Sequence, residues 1–168
     1  WTHLRPLIRR PTGGGLVPHD RDWTYSLIFP PGHRWHTLRA SESYQRVHEW
    51  LHAAFSALGE MTELAPGRQQ EIPGRCFVGA ERFDLLWEGR KIAGAAQRRN
   101  RDGLLIQGSV QPPSVLKERS DWEEAMRAGF PDLGSVRWID LELDEKLSRR
   151  VGELARDKYS QIAYNQRR

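Results

Sequence analysis

Phe83–Val110 reads FDLLWEGRKIAGAAQRRNRDGLLIQGSV, and its spacing decides the fold. Two runs, Phe83 to Glu88 and Lys91 to Ala96, meet at Glu88-Gly89, a pair suited to a two-residue hairpin turn. Leu104 to Val110 follows a basic turn and reads as a third strand. Upstream, Trp23, Tyr25, Leu27 and Phe29 alternate at the period of a half-buried strand, and Leu4 to Arg9 reads as a short strand entering a glycine loop. Between Ser41 and Leu58 the apolar residues Tyr44, Val47, Trp50, Leu51, Ala54, Phe55 and Leu58 recur at helical spacing, and Gly59 supplies the stop. Ser120 and Glu123 form a capping box before EEAMRAGF, closed by Gly129, and Asp144 to Tyr159 reads as a charged amphipathic helix. Residues 62–75, rich in Pro, Gly, Gln and Arg, lack a period and read as a loop that delivers Cys76. Strands and helices alternate without an internal repeat, so an α/β (α+β) domain is expected.

A chain of 168 residues, 38% hydrophobic and 10% aromatic, suits one globular domain over 1–168. Its single cysteine rules out an intrachain disulfide and a cysteine-built zinc site, which fits a reducing, cytoplasmic compartment. No apolar run approaches the roughly 20 residues that span a bilayer, so no membrane association is expected. The net charge of +4 favours acidic partners, without choosing among nucleic acid, an anionic surface or an acidic protein.

Cys76 stands fifteen residues before Lys91 in CFVGAERFDLLWEGRKIAG. A thiolate is a strong nucleophile once its pKa is lowered, and a neighbouring ammonium lowers it. A lone cysteine without context is more often inert core, and a lone lysine is more often solvated. The glycine run in RRPTGGGLVPHD has two readings as well: a permissive turn, or a loop whose backbone N–H groups approach an anionic or carbonyl oxygen. HEWLH, His48 to His52, matches the HExxH zinc pattern. The apolar face of that helix places both histidines at its edge and Glu49 in solvent, so a solvated helix face is preferred and no metal is expected. Arg98, Arg99 and Arg101 read as a solvated basic turn without an accompanying nucleic-acid motif, so no nucleic acid is expected.

The two segments together resemble the lipoate protein ligase and octanoyltransferase superfamily. The likeness is carried by Arg9, Arg10, Thr12, Gly13, Gly14 and Gly15, by His19 and Asp20, and by Gly89, Arg90, Lys91, Ile92, Gly94 and Ala96. The pair Cys76-Phe77 and its spacing to Lys91 are similar to the cysteine-dependent octanoyl carrier-protein:protein transferases. The resemblance implies a mixed sheet packed with helices. It also implies an upstream helix and strands, completing the sheet and acyl tunnel, that lie outside these residues.

The implied activity moves an octanoyl or lipoyl group from acyl carrier protein, through a thioester on Cys76, to a lysine of a lipoyl domain of a 2-oxoacid dehydrogenase or of a glycine-cleavage H-type protein. Lys91 is the implied partner of Cys76. Arg10, Thr12, Gly13, Gly14, Gly15, Gly94, Ala95, Ala96, Gln107 and Gly108 are the implied substrate contacts, and His19, with Asp20, supports them. Amides of residues 94–96 suit an oxyanion hole, although a close-packed strand explains small residues there almost as well. On this reading the basic turn docks acidic carriers. No cofactor is needed; ATP and Mg enter only under the alternative of an ATP-dependent ligase, in which Cys76 is incidental. Two features depart from the main branch. Gln107-Gly108 stands where the family often has His-Gly, and AQRR resembles the amidotransferases that act between lipoyl-type domains.

Overall fold

The computed structural model describes residues 6–68, 79–111, 118–131 and 136–166. Cys76 lies outside them. Two compact units are present, Thr12–Val136 and the combination of Trp1–Pro11 with Arg137–Arg168.

The larger unit is built on β1 (Trp23–Phe29), β2 (Thr62–Leu64), β3 (Leu85–Trp87), β4 (Arg90–Asn100) and β5 (Gly103–Val110), in the order β1-β5-β4-β3-β2. Its helices are the single turn α1 (Arg34–Thr37), the long α2 (Ala40–Ala57) and α3 (Arg119–Ala128). The expected α+β class, a sheet packed with helices, is what the chain forms. Where a mixed sheet was expected, every described pairing is antiparallel. The hairpin at Glu88-Gly89 closes as its sequence requires: both residues have positive φ, 49° and 71°, and Trp87 pairs with Arg90.

Alternation along β1 sorts the two sheet faces. Trp23, Tyr25, Leu27 and Phe29 pack on the core, whereas Thr24, Ser26 and Ile28 are exposed. On the core side α2 buries Val47, Leu51, Ala54 and Phe55, the i, i+4, i+7, i+8 stripe read from its sequence. Fully buried Val47, Leu51 and Phe55 each contribute about 1.5–3 kcal/mol. Gly108 is fixed by the same packing: a Cβ there would lie 2.2 Å from Tyr25 Cζ, so only glycine lets that ring cross the strand.

Several local expectations change. Thr62–Leu64, read as loop, forms the edge strand β2 against β3. Pro6–Arg9 is not a strand. The N-cap of α3 is Glu118, without a side-chain capping bond, in place of the Ser120–Glu123 box. Arg99 is not a solvated turn residue: its guanidinium donates to Trp35 O at 3.2 Å, to His36 O and to Ser43 Oγ at 3.2 Å, tying β4 to α1 and α2. His48 is fully buried and not at a solvated edge; its Nδ1 donates to Tyr44 O at 2.9 Å, and its ring lies 4.3 Å from that of Tyr44. His52 engages Thr62 Oγ1 instead, and Glu49 accepts from Gln45 on the exposed face.

Burial lowers the His48 pKa to about 4, so the ring is neutral at pH 7. Between the unfolded value of 6.5 and about 4 the unfolded chain binds the extra proton, so the stabilising contribution is complete above pH 6.5 and is lost as pH falls. This one group should remove about 3 kcal/mol of unfolding free energy over that interval. Urea titrations at several pH values should show the loss in the parent and a flatter profile in His48→Phe. Superimposable profiles would rule the histidine out as the cause.

The second unit carries α4 (Glu145–Leu154), a π-helical turn at Ala155–Tyr159 and α5 (Ile162–Asn165). Asp144 caps α4 by accepting from Leu147 N at 2.6 Å. Asn165 ties this unit together: it accepts from Arg9 N and donates to Tyr159 O, both at 2.8 Å. None of the described helices is long and apolar enough to cross a membrane.

Candidate active site

Lys91 is the second residue of β4, directly after the hairpin, and its ammonium sits 2.7 Å from Asp84 Oδ2. The Lys91 side chain is 16% exposed and that of Asp84 is fully buried. Asp84 is presented by the turn Glu81–Asp84, in which Asp84 N donates to Glu81 O at 3.0 Å and Glu81 N donates to Asp84 Oδ2 at 2.7 Å. Within that turn Phe83 adopts φ 74°, a left-handed conformation unusual for an aromatic residue. That conformation delays β3 until Leu85, two residues later than its sequence suggests.

The sheet opens at this point. The β3–β4 register shifts between Leu85 and Leu86, and β3 pairs with β4 only as far as Ala93, which leaves the Ala95 amide beyond its reach. Tyr44 reaches up from α2 to fill the gap: its hydroxyl accepts from Ala95 N at 3.3 Å and donates to Asp84 Oδ1. A backbone donor without a strand partner is thereby satisfied. Burial, and then the Asp84 charge, push the Tyr44 hydroxyl well above its ordinary pKa, so it remains a donor to the carboxylate. The same two causes raise Tyr25.

Register assembles the rest. Thr24 pairs with Ser109 and Ser109 with Gly94; in the next row Ser26 pairs with Gln107 and Gln107 with Ala96. Strand alternation puts these small and polar residues on the sheet face opposite α2. Lys91 lies across this face, since a Cβ at Gly94 would fall 2.9 Å from its Cε and 3.1 Å from its Nζ. The segment from Thr12 to Asp22 lies over the same face and is pinned to β5 and its end: Thr12 Oγ1 donates to Gln107 Oε1 at 3.1 Å, Gln111 Nε2 to Pro18 O at 3.5 Å, and Ser109 Oγ to Asp22 Oδ2 at 2.6 Å.

Among the residues singled out by sequence, Lys91, Gly94, Ala96, Gln107 and Thr12 therefore converge. His19 joins them through Asp22, at 2.7 Å from Nδ1 to Oδ2, while Asp20 is exposed and is not its partner. Gly14 has φ 91°, which requires glycine, whereas a Cβ at Gly13 or Gly15 would meet nothing within 4 Å. Ala95 and Gly108 face the core, and the Ala95 amide is engaged by Tyr44. Arg10 belongs to the other unit, where burial lowers its pKa. Sequence reading missed Asp84, Tyr44, Asp22 and Ser109. For Asp84 one signal existed, a carboxylate directly ahead of the apolar run Leu85–Trp87.

These features define a domain that holds an ammonium, by a buried carboxylate, above a sheet face of small residues, with the segment that carries the glycines tied to that face on either side of them. The sequence model of the lipoyl protein ligase A/B catalytic domain matches residues 2–118, and the chain belongs to that family. Octanoyltransferase LipM of Staphylococcus epidermidis is 30% identical over 206 residues, covering 96% of this chain and 74% of the relative. The Staphylococcus aureus octanoyltransferase LipM is 37% identical over 68% of this chain and 45% of its own length. This kinship places the chain among the acyltransferases of the family. Lipoate-protein ligase A bound with ATP superposes with a TM-score of 0.76 at 21% identity, covering 95% of this chain and 71% of that one. The bi-partite lipoate protein ligase of Thermoplasma acidophilum, described with its E2 lipoyl domain, gives 0.69 at 19% identity over 95% of this chain and 69% of that one. At these identities the two structures establish the fold.

Proposed function

We propose that the chain takes an octanoyl group, or its lipoyl counterpart, from acyl carrier protein onto Cys76 and passes it to a lysine of a lipoyl domain or of a glycine-cleavage H-type protein. The Cys76 thiolate attacks the carrier thioester and the carrier sulfur departs as a thiolate, which takes from solvent the proton that Cys76 had given up; the acceptor amine then displaces the Cys76 sulfur and loses a proton as the amide forms. The observation that carries the reading is the Lys91–Asp84 pair, which fixes a compact positive charge over Gly94. Such a charge favours the thiolate and the oxyanion of each tetrahedral intermediate. Gln107 holds Thr12 and so anchors the segment that carries the glycines, a structural duty in place of the proton chemistry of a histidine. Neither step consumes a cofactor, and the donor and acceptor chemistry belongs to the cytoplasm.

Incubating the chain with octanoyl carrier protein should give a mass increase on Cys76 without ATP. Lipoylation of an acceptor domain that needs ATP and free lipoate, with no adduct, would favour the ligase alternative instead. Exchange from one acylated lipoyl-type domain to another, without carrier protein, would favour the amidotransferase.

Gly94→Ala should separate position from stability. Its methyl would lie 2.9 Å from Lys91 Cε and 3.2 Å from Asp84 Oδ1, so the flexible lysine must shift aside. Displacement by about 1 Å is expected to slow transfer about 100-fold. The melting temperature should fall by only a few degrees, because the far end of a side chain yields cheaply. Parent-like transfer kinetics in this variant would mean that the position of Lys91 over Gly94 is not used.

A further inference from the structure

Tyr44 uses one oxygen twice. Its hydroxyl accepts from Ala95 N at 3.3 Å and donates to Asp84 Oδ1, while the other oxygen of that carboxylate, Oδ2, stands 2.7 Å from Lys91 Nζ. Lys91 and Ala95 belong to the same strand, β4. The contacts therefore close a ring: from the Lys91 ammonium through Asp84 to the Tyr44 hydroxyl, on to the Ala95 amide, and back along the strand to Lys91. Gly94, over which the ammonium lies, is part of that ring, and a Cβ there would fall 3.2 Å from Asp84 Oδ1.

An ordinary strand edge would need no such ring. Had β3 continued past its pairing with Ala93, a backbone carbonyl would have accepted from the Ala95 amide. A carbonyl has no proton of its own to give, whereas a phenol can accept from the strand and donate to a carboxylate at once. Both ends of the ring are braced. The Tyr44 ring lies 4.3 Å from that of fully buried His48, whose Nδ1 donates to Tyr44 O at 2.9 Å. Asp84 is held by Glu81 N on Oδ2 at 2.7 Å and by Ala65 N, which donates to Asp84 O at 2.8 Å. Left-handed Phe83, with φ 74°, precedes it, and strained backbone of this kind persists where the surroundings over-determine it. Lysine, by contrast, is a flexible stem ending in a point charge, so the ammonium goes where the carboxylate is held.

We propose that Tyr44 is a positioning residue of the transfer reaction, fixing through Asp84 where the Lys91 ammonium stands over Gly94; this rests on the reading in which that charge serves transfer. Tyr44 reaches the pair from the α2 side of the sheet and acts only through the carboxylate. The bare alternative is that its hydroxyl merely satisfies the Ala95 amide, a plug where β3 parts from β4.

Tyr44→Phe keeps the ring against His48 and removes the hydroxyl. Steady-state transfer from octanoyl carrier protein to a lipoyl acceptor domain should lose about 10–100-fold in kcat, with KM for each protein substrate within about twofold, because a displaced charge is missed in the transition state more than in binding. A second readout is independent of turnover. Brief treatment with acetic anhydride, followed by peptide mass analysis, should show acetylation of Lys91 relative to exposed Lys146 rising about three- to tenfold, the weight of one hydrogen bond on the carboxylate that holds it. Should the phenylalanine form fail to fold, Tyr44→4-aminophenylalanine, with the ring and a weaker donor retained, should show both changes in the same direction and smaller.

Parental kcat and parental Lys91 labelling, with only the urea midpoint lowered, overturn the proposal and leave the plug. A fall in kcat with Lys91 labelled as in the parent overturns it too, since Tyr44 would then act by another route. So does a rise in labelling at parental kcat, which would mean that the position is set but not used. Absence of transfer in the parent is a separate result that removes the transferase reading; a rise in Lys91 labelling would then still support Tyr44 as the residue that sets the ammonium, and no rise would overturn it.

Discussion

Cys76→Ser is expected to form no octanoyl adduct and to transfer on the order of 10³-fold more slowly than the parent, or less. A serine hydroxyl is not ionised near neutral pH, and the ammonium of Lys91 is a cation, not a base that could deprotonate it. The thioester would therefore meet a neutral alcohol where the proposed mechanism offers a thiolate. Intact mass after incubation with octanoyl carrier protein checks the adduct, and gel shift of a lipoyl acceptor checks transfer. The coupling to Lys91 has its own readout. Alkylation of Cys76 followed against pH should reach half-maximal rate below the value of about 8.5 for free cysteine in the parent. The curve should move upward in Lys91→Met. Coincident curves would assign Lys91 to the substrate oxyanion alone, and full transfer by Cys76→Ser would remove the thioester from the mechanism.

What the sequence disclosed was local. Period and turn chemistry placed β1 to the residue and gave α2, the Glu88-Gly89 hairpin and β5 within one residue or two, because each is specified by neighbours a few positions apart. Lys91 and the glycine loop were legible through their motifs. Asp84 was not, because its role depends on three events that no hydrophobic period reports: the left-handed Phe83, the register shift between Leu85 and Leu86, and Tyr44 arriving from forty residues upstream. Asp22 is a similar case, paired with Ser109 across 87 residues. His48 was misread because a helical wheel assumes one packed stripe, whereas α2 sinks against the sheet deeply enough to bury Ser43 and His48 at the edges of that stripe. Arg99 looked like a turn charge because only the fold reveals that three acceptors from α1 and α2 converge on its guanidinium.

Lys91→Ala is expected to abolish transfer and to lower stability at once, and the two losses can be separated. Removing the ammonium leaves a fully buried carboxylate held, among the described residues, by two neutral donors, the Tyr44 hydroxyl and the Glu81 amide. Breaking a buried pair from one side typically costs about 3–5 kcal/mol. Lys91→Arg retains the charge but not the shape: a planar fork cannot occupy the compact position above Gly94, where a Cβ would already fall 2.9 Å from the present Cε, so transfer should fail nearly as badly. The decisive variant is Lys91→Met combined with Asp84→Leu. With both charges gone no ion is stranded, and replacement of a buried pair by apolar side chains is often neutral or stabilising. The double variant should therefore unfold in urea with a free energy well above that of Lys91→Ala and close to the parent, while remaining without transfer activity. Recovery of activity together with stability would show that Lys91 serves only the fold. Failure of the double variant to regain stability would show that Asp84 acts through Tyr44 and the Ala95 amide, holding the sheet where β3 parts from β4, more than through the lysine.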